Sequence, residues 1–177
     1  METELRNIVE RDFRPERKDK VWVTDITYIW TCKGFVYLSS VMNLYSRKII
    51  SWEVSESLGI EFVLRSIRKA KTGRKLERPL IIHSDRGSHY TSRLYIEEIR
   101  EKNIERSYSR KSNPWDNVVI ESFHSLIKRE WLNRYRIKDI NEARTLIFEY
   151  IETLYNSRRL HSYCGMLSPD RYEKMYG

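Results

Sequence analysis

The chain has 177 residues, with 33 Lys plus Arg against 25 Asp plus Glu, a formal charge of +8 and a pI near 9.5. That length suits one domain with a single core, and its two cysteines, Cys32 and Cys164, stand outside any CxxC pair, which excludes a disulfide scaffold and a zinc ribbon. The longest uncharged stretch, residues 34–46, is too short for a membrane span, and the N-terminus is charged from its second residue, unlike a secretory signal, so the expectation is a cytoplasmic protein with a polyanion as partner.

Residues 1–20 carry six basic and six acidic side chains and no hydrophobic period, which predicts an extended lead-in before a core of residues 21–177. VWVTDITYIW (21–30) reads as a strand of β-branched and aromatic residues. Turns at TCKG and NLYSR divide it from strands at 35–42 and 48–54, an antiparallel meander. Ile60, Val63, Leu64, Ile67 and Ala70 then fall at helical spacing, predicting a helix over 59–71. LIIH (80–83) is a short apolar run suited to a buried strand after a crossover. A helix over about 92–102, capped by Thr91 or Ser92, leads to a fifth strand at 104–109. Two more helices are expected near 117–134, with Asn117 as N-cap, and 139–157. The order predicts a mixed α/β domain around one five-stranded sheet flanked by helices.

Basic charge is concentrated in two runs. Residues 65–78 hold seven basic side chains against Glu77, and residues 106–138 hold eight against Asp116, Glu121 and Glu130. The first run also suits a solvated helix face. The second carries Tyr108, Trp115, Trp131 and Tyr135 among its charges, a mixture suited to nucleic acid, where rings stack and cations meet phosphates.

Three acids stand where a core does not favour them. Asp25 interrupts a strand, on the face of Val23 and Thr27; Asp85 follows the apolar run 80–83; Glu121 lies on a helix. Singly, each has an ordinary role as edge residue, turn residue or surface carboxylate. With Ile120 at zero, Glu121 lies at about 100°, Ser125 at about 140° and Lys128 at about 80°, beside the apolar stripe and able to face a groove. Together, three carboxylates on a strand, a strand end and a helix suit hard cations such as Mg²⁺, and two such ions can clamp a phosphoryl transfer.

VWVTDITYI (21–29), IHSDRGSHYTS (82–92), SRKSNPWDNVVIESFHSLIKRE (109–130) and YNSRRLHSYCGMLSPDRY (155–172), taken in order, resemble the catalytic core of bacterial insertion-sequence transposases of the DDE class, relatives of retroviral integrases. The 35 residues between Asp85 and Glu121 match that family's spacing. The resemblance implies an RNase H-like fold and metal-dependent DNA nicking and strand transfer. It assigns Asp25, Asp85 and Glu121 to catalysis and to Mg²⁺, with Mn²⁺ able to substitute and two ions expected. It puts Lys128 on a basic position near DNA and brings the region of Arg158, Arg159 and His161 close to the active site. Arg110 and Lys111 fall in a loop (109–115) that is expected to close over DNA phosphates; Arg86 and Ser125 are further candidate DNA contacts. Asn43, His89 and Trp115 depart from the commoner family residues, none at a metal ligand. His83 and His89 flank Asp85 and are candidates to orient a ligand, although a lone His is more often structural; Gly87 reads as a tight-turn glycine.

The implied partners are element-end and target DNA, a second copy of the chain, and an upstream DNA-binding domain or subunit, since only 24 residues precede Asp25. That length suggests a catalytic-domain fragment or a truncated reading frame. Two rivals remain open: a ribonuclease of the same fold, and a non-catalytic DNA-binding or dimerisation fragment.

Overall fold

In the computed structural model, residues 5–76 and 79–177 are described; Glu77 and Arg78 of the first basic run lie outside them. Strands β1 (Val21–Thr31), β2 (Gly34–Asn43) and β3 (Lys48–Ser55) form the expected antiparallel meander. Helix α1 (Glu61–Thr72) crosses to β4 (Leu80–Ser84), which runs parallel to β1; α2 (Ser88–Thr91) and α3 (Arg93–Glu101) lead to β5 (Ile104–Tyr108), parallel to β4. The sheet order is β3-β2-β1-β4-β5. Helices α4 (Val118–Glu130), α5 (Ile140–Phe148) and α6 (Pro169–Tyr176) complete an RNase H-like arrangement.

Alternation along β1 explains the layering. Val21, Val23 and Ile29 face a core built with Ile120, Phe123 and Ile127 of α4 and Ala143, Leu146 and Ile147 of α5. Trp22 points the other way, into a core with Phe62, Val63 and Ile67 of α1 and Tyr95 and Ile99 of α3. Two apolar faces on one sheet require a helical layer on each side.

Local structure departs from the expected boundaries in four places. The fourth helix stops at Glu130, because Trp131 leaves helical geometry (φ −136°, ψ −68°) and Leu132–Arg134 turns as a 3-10 segment. The fifth changes at Phe148 into a π-helical stretch, Glu149–Tyr155. Ser92 caps α3, accepting from the Tyr95 N–H, but the short α2 before it was not expected. Helix α6 was missed although its start signal is present: Ser168 accepts from the Arg171 N–H, and Pro169 occupies the first turn. Glu173 ties α6 to the sheet by accepting from Asn43 Nδ2 (2.9 Å) and Ser46 Oγ (2.6 Å).

Residues 5–20 contain no helix or strand but are held to the sheet. The Tyr108 N–H donates to the Arg6 carbonyl (2.8 Å), the Ile8 and Val9 N–H groups donate to Ser107 Oγ, and Val9 is buried in the core. Much of the first basic run is engaged within the fold. Arg68 meets Glu61 and Glu98, Lys69 meets Glu53, and Arg74 meets Asp19 and Glu173. Among the described residues no helix is long and apolar enough to cross a membrane.

Candidate active site

β1 and β4 pair only from Val21↔Ile81 to Val23↔His83. Carrying that register forward two residues brings Asp25 abreast of Asp85, the residue after β4 ends, so the acids stand where two parallel strands part. This is the carboxyl end of the parallel pair, where open sheets gather ligands. Helix α4 crosses the same end and adds Glu121, which shares a groove with Asp85, Arg86, Lys111 and Asn117.

Electrostatics tie the three together. Burial raises the Asp25 carboxyl to about 7, and the negative charges of Asp85 and Glu121 add to the rise against a hydrogen bond from the Ile26 backbone. Burial and the Asp85 charge also raise Glu121. A cluster of like charges in partial burial is costly unless a proton or a cation joins it. The donor set is all oxygen and fits a hard divalent cation rather than a thiophilic metal. Among the described residues no three Asp, Glu, His or Cys groups already form a cage for one ion.

Around Asp85 the chain is tightly built. The Gly87 N–H donates to Asp85 Oδ1 (2.8 Å), and a Cβ at Gly87 would lie 2.9 Å from that oxygen. The turn does not demand glycine for its backbone, since φ is −58° and ψ 154°; close approach to the carboxylate does. His83 is buried and bonded to Ser107 Oγ (2.8 Å) and the Asp116 carbonyl (2.9 Å), and His89 to the Leu58 carbonyl (2.7 Å), so both brace the fold.

Sequence reading passed over His124. Its ring is buried beside the acids, with Nδ1 3.8 Å from Asp25 Oδ2 and Nε2 3.1 Å from Ser40 Oγ, and Ser40 is the cross-strand partner of Asp25. Burial, with the Lys128 charge, lowers it to about 3, so the imidazole is neutral and lies beside the carboxylate without an ion pair or hydrogen bond to it. Its signal was an imidazole at about 40° from Ile120, inside the apolar stripe.

The N-cap reading of Asn117 is corrected. A 3-10 turn (Pro114–Asn117) runs straight into α4, and at φ −121°, ψ 13° the side chain makes no cap bond. Both Oδ1 and Nδ2 are instead buried in the groove wall without a hydrogen-bond partner among the described residues.

The remaining candidates divide. Asp116 anchors the loop before α4: it accepts from the Arg110 backbone and guanidinium (2.9 and 3.0 Å), from Arg11 Nε (2.7 Å) and from Asn7 Nδ2 (3.0 Å). Arg110 is therefore engaged inside the loop, and Arg86 donates to the Ser109 carbonyl (2.7 Å). Arg159 grips Glu130 (2.8 Å). Lys111 is exposed at the groove rim, Ser125 is exposed on α4, and Arg158 is exposed after the π-helical stretch. Lys128 does not share the Glu121 groove; it lines a separate depression against the β1–β2 hairpin, where burial lowers its pKa.

Comparisons with known proteins bear on the fold and the family. Two family models, each described as Integrase core domain, match residues 15–114 and 102–169. A transposase for insertion sequence element IS904 from Lactococcus lactis subsp. lactis (strain IL1403) is 39% identical over 169 residues, covering 95% of this chain and 66% of that protein. Transposase InsF for insertion sequence IS3A of Escherichia coli (strain K12) is 35% identical over 167 residues, covering 94% of this chain and 58% of its own length. The chain thus spans under two thirds of these relatives. Among solved structures, the HTLV-2 integrase catalytic core domain in complex with magnesium superimposes with a TM-score of 0.69 at 16% identity, over 90% of this chain and 99% of that one. A chain of a simian T-cell lymphotropic virus intasome in complex with PP2A regulatory subunit B56 gamma reaches 0.72 at 16% identity, over 90% of this chain and 56% of that one. With the sheet, the crossover and the family models in agreement, the chain belongs to the integrase core domain family, in the DDE class that joins insertion-sequence transposases to retroviral integrases.

Proposed function

We propose that this chain is the catalytic core of a DNA transposase, a polynucleotidyl transferase that nicks the end of a mobile element and joins it to target DNA. The observation that carries the reading is the placement of Asp25 and Asp85 where the parallel strands part, with Glu121 in the same groove as Asp85. Those three residues would hold Mg²⁺, or Mn²⁺ in its place, most economically as two ions. Bound there, the cations supply charge neutralisation for the attacking and leaving oxygens of an in-line phosphoryl transfer.

The chain's own residues do the rest. Asp25 is held by a hydrogen bond from the Ile26 backbone and Asp85 by the Gly87 N–H, which limits how far either carboxylate must reorganise. Asn117 presents an unpartnered amide that can bond a phosphate oxygen or a hydroxyl. Lys111 and Lys128 can meet the DNA backbone. Water first opens a phosphodiester at the element end, and the freed 3′-hydroxyl then attacks a target phosphodiester. Both steps displace an oxygen from phosphorus, so no Ser or Tyr nucleophile is required.

Because relatives named as transposases are longer than this chain, element-end recognition is assigned to a further DNA-binding domain or subunit, and the active species to an assembly of copies. The working location is the bacterial cytoplasm, on the nucleoid when DNA is bound. The test is strand transfer of pre-nicked ends into a plasmid. Glu121→Gln should abolish transfer while DNA affinity persists, because shape and polarity remain and one metal-binding charge is gone. If wild type binds DNA yet transfers none with Mg²⁺ or Mn²⁺, the catalytic reading fails and the non-catalytic fragment stands.

A further inference from the structure

Beyond Val23, β1 pairs only with β2 among the described residues, which leaves its other edge open while one face of the hairpin stays packed on the helices. Here the cross-strand pairs Tyr28↔Tyr37 and Trp30↔Phe35 put four rings on one face. Tyr28, Trp30 and Phe35 are 49%, 65% and 50% exposed, although each is large enough to favour burial. They brace one another edge to face, with Trp30 and Phe35 centroids 4.9 Å apart and Tyr28 and Phe35 5.9 Å apart. Tyr28, Trp30 and Phe35 line a depression of about 370 Å³, closed on its other side by Lys128, Asn133 and Tyr135.

Two features choose the occupant. The first is charge: among the described residues no carboxylate lines the depression and Lys128 has no ion-pair partner, and the exposed Arg134 and Arg136 flank Tyr135. An apolar protein partner would bury that lysine unpaired, whereas a phosphodiester would neutralise it. The second is continuity with the acids along α4. Lys128 follows Glu121 by seven residues, two turns or about 10 Å along nearly the same side of the helix, while Tyr28 stands on the opposite face of β1 from Asp25 and meets Lys128 at the open strand edge. Ring faces beside a cation stack on bases of any sequence, and a small concave space admits a base only if it has left its duplex stack.

We propose that this aromatic cleft receives one unpaired base of the DNA being processed, with Lys128 on the adjoining phosphate. The proposal rests on the reading of the chain as a DNA-processing core. Stacking of this kind holds a frayed strand beside the acids and so favours ends over the interior of a duplex.

The experiment compares, by fluorescence anisotropy on the full chain, a blunt duplex with the same duplex bearing a two-nucleotide single-stranded extension. A fluorescent base analogue in the extension reports stacking by quenching. Wild type should bind the extended DNA about tenfold more tightly, with quenching. Trp30→Ala should remove most of that preference and the quenching, whereas Phe148→Ala, a comparably exposed ring on α5, should keep both. Equal binding of the two DNAs by wild type, or a preference that survives both Trp30→Ala and Tyr28→Ala, overturns the cleft assignment alone. Binding of neither DNA overturns the DNA reading beneath it. A preference unchanged in Trp30→Ala, with a dimer dissociating to monomer in sedimentation, would make the cleft a subunit contact and also overturn the proposal.

Discussion

Gly87 and Asp85 are locked together: the Gly87 N–H donates to Asp85 Oδ1 at 2.8 Å, and the space a Cβ would need lies 2.9 Å from that oxygen. A methyl group there must push either the carboxylate or the turn, and the carboxylate is one of the three acids. Gly87→Ala should therefore lower strand transfer by up to about a hundredfold, the scale of a misplacement near 1 Å. Stability should stay within about half a kcal/mol of wild type, because alanine accepts this backbone conformation. Activity assayed beside thermal melting checks the prediction; full activity in a folded variant would show that Asp85 need not hold this position.

Asp25 couples cation binding to pH. Its folded carboxyl titrates at about 7, above the ordinary carboxylate range. Between that range and 7 the folded state holds a proton that the unfolded chain has lost, so stability falls as pH rises through this window. A divalent cation competes with that proton. Mg²⁺ or Mn²⁺ should raise the melting temperature more at pH of about 8 than at about 5.5. In Asp25→Asn the cation effect should shrink at both. Equal stabilisation at the two pH values, or in the variant, would place the cation elsewhere.

Asp116 works in the opposite sense. Hydrogen bonds from Arg110, with that from Arg11, hold its carboxyl well below the usual range. Its stabilisation is complete above the unfolded carboxylate pKa and is lost as pH falls through the lower folded value. Asp116→Asn should lower the melting temperature at neutral pH and narrow the gap from wild type in strong acid. The same variant should loosen residues 109–117, measurable as faster amide exchange at Ser109 and Arg110.

Lys128 has no ion-pair partner among the described residues, unlike Arg110 and Arg159. Lys128→Ala should weaken DNA affinity and reduce the log–log salt slope by about one unit, the release of one counterion. Arg159→Ala should change the slope little and destabilise instead, because it strips Glu130 of its bidentate partner. Matching slopes in wild type and Lys128→Ala would remove that lysine from the DNA surface.

Local pattern was enough for the sheet and most of the helices. Alternating apolar residues in β1 and the three-to-four spacing of Ile120, Phe123 and Ile127 state which face must be buried, and that choice needs no knowledge of distant partners. Asp25 and Asp85 stood out as candidates because a carboxylate inside an apolar strand, or at its end, conflicts with burial unless something pays for it, whereas Glu121, on a helix surface, stood out only by its angle beside the apolar stripe and by the family spacing. What lay beyond sequence was pairing across the chain. Arg110, Arg86 and Arg159 read as candidate DNA contacts, yet each found a partner within the protein through contacts that folding alone creates, as Arg159 did with Glu130. Asn117 read as a cap until a 3-10 turn removed the geometry a cap requires. His124 became a neighbour of Asp25 only when α4 packed on β1, across 99 positions of sequence. Local propensity fixes which face of an element is buried; the company a polar group keeps depends on the three-dimensional meeting of elements, because its energy depends on distances that no single segment contains.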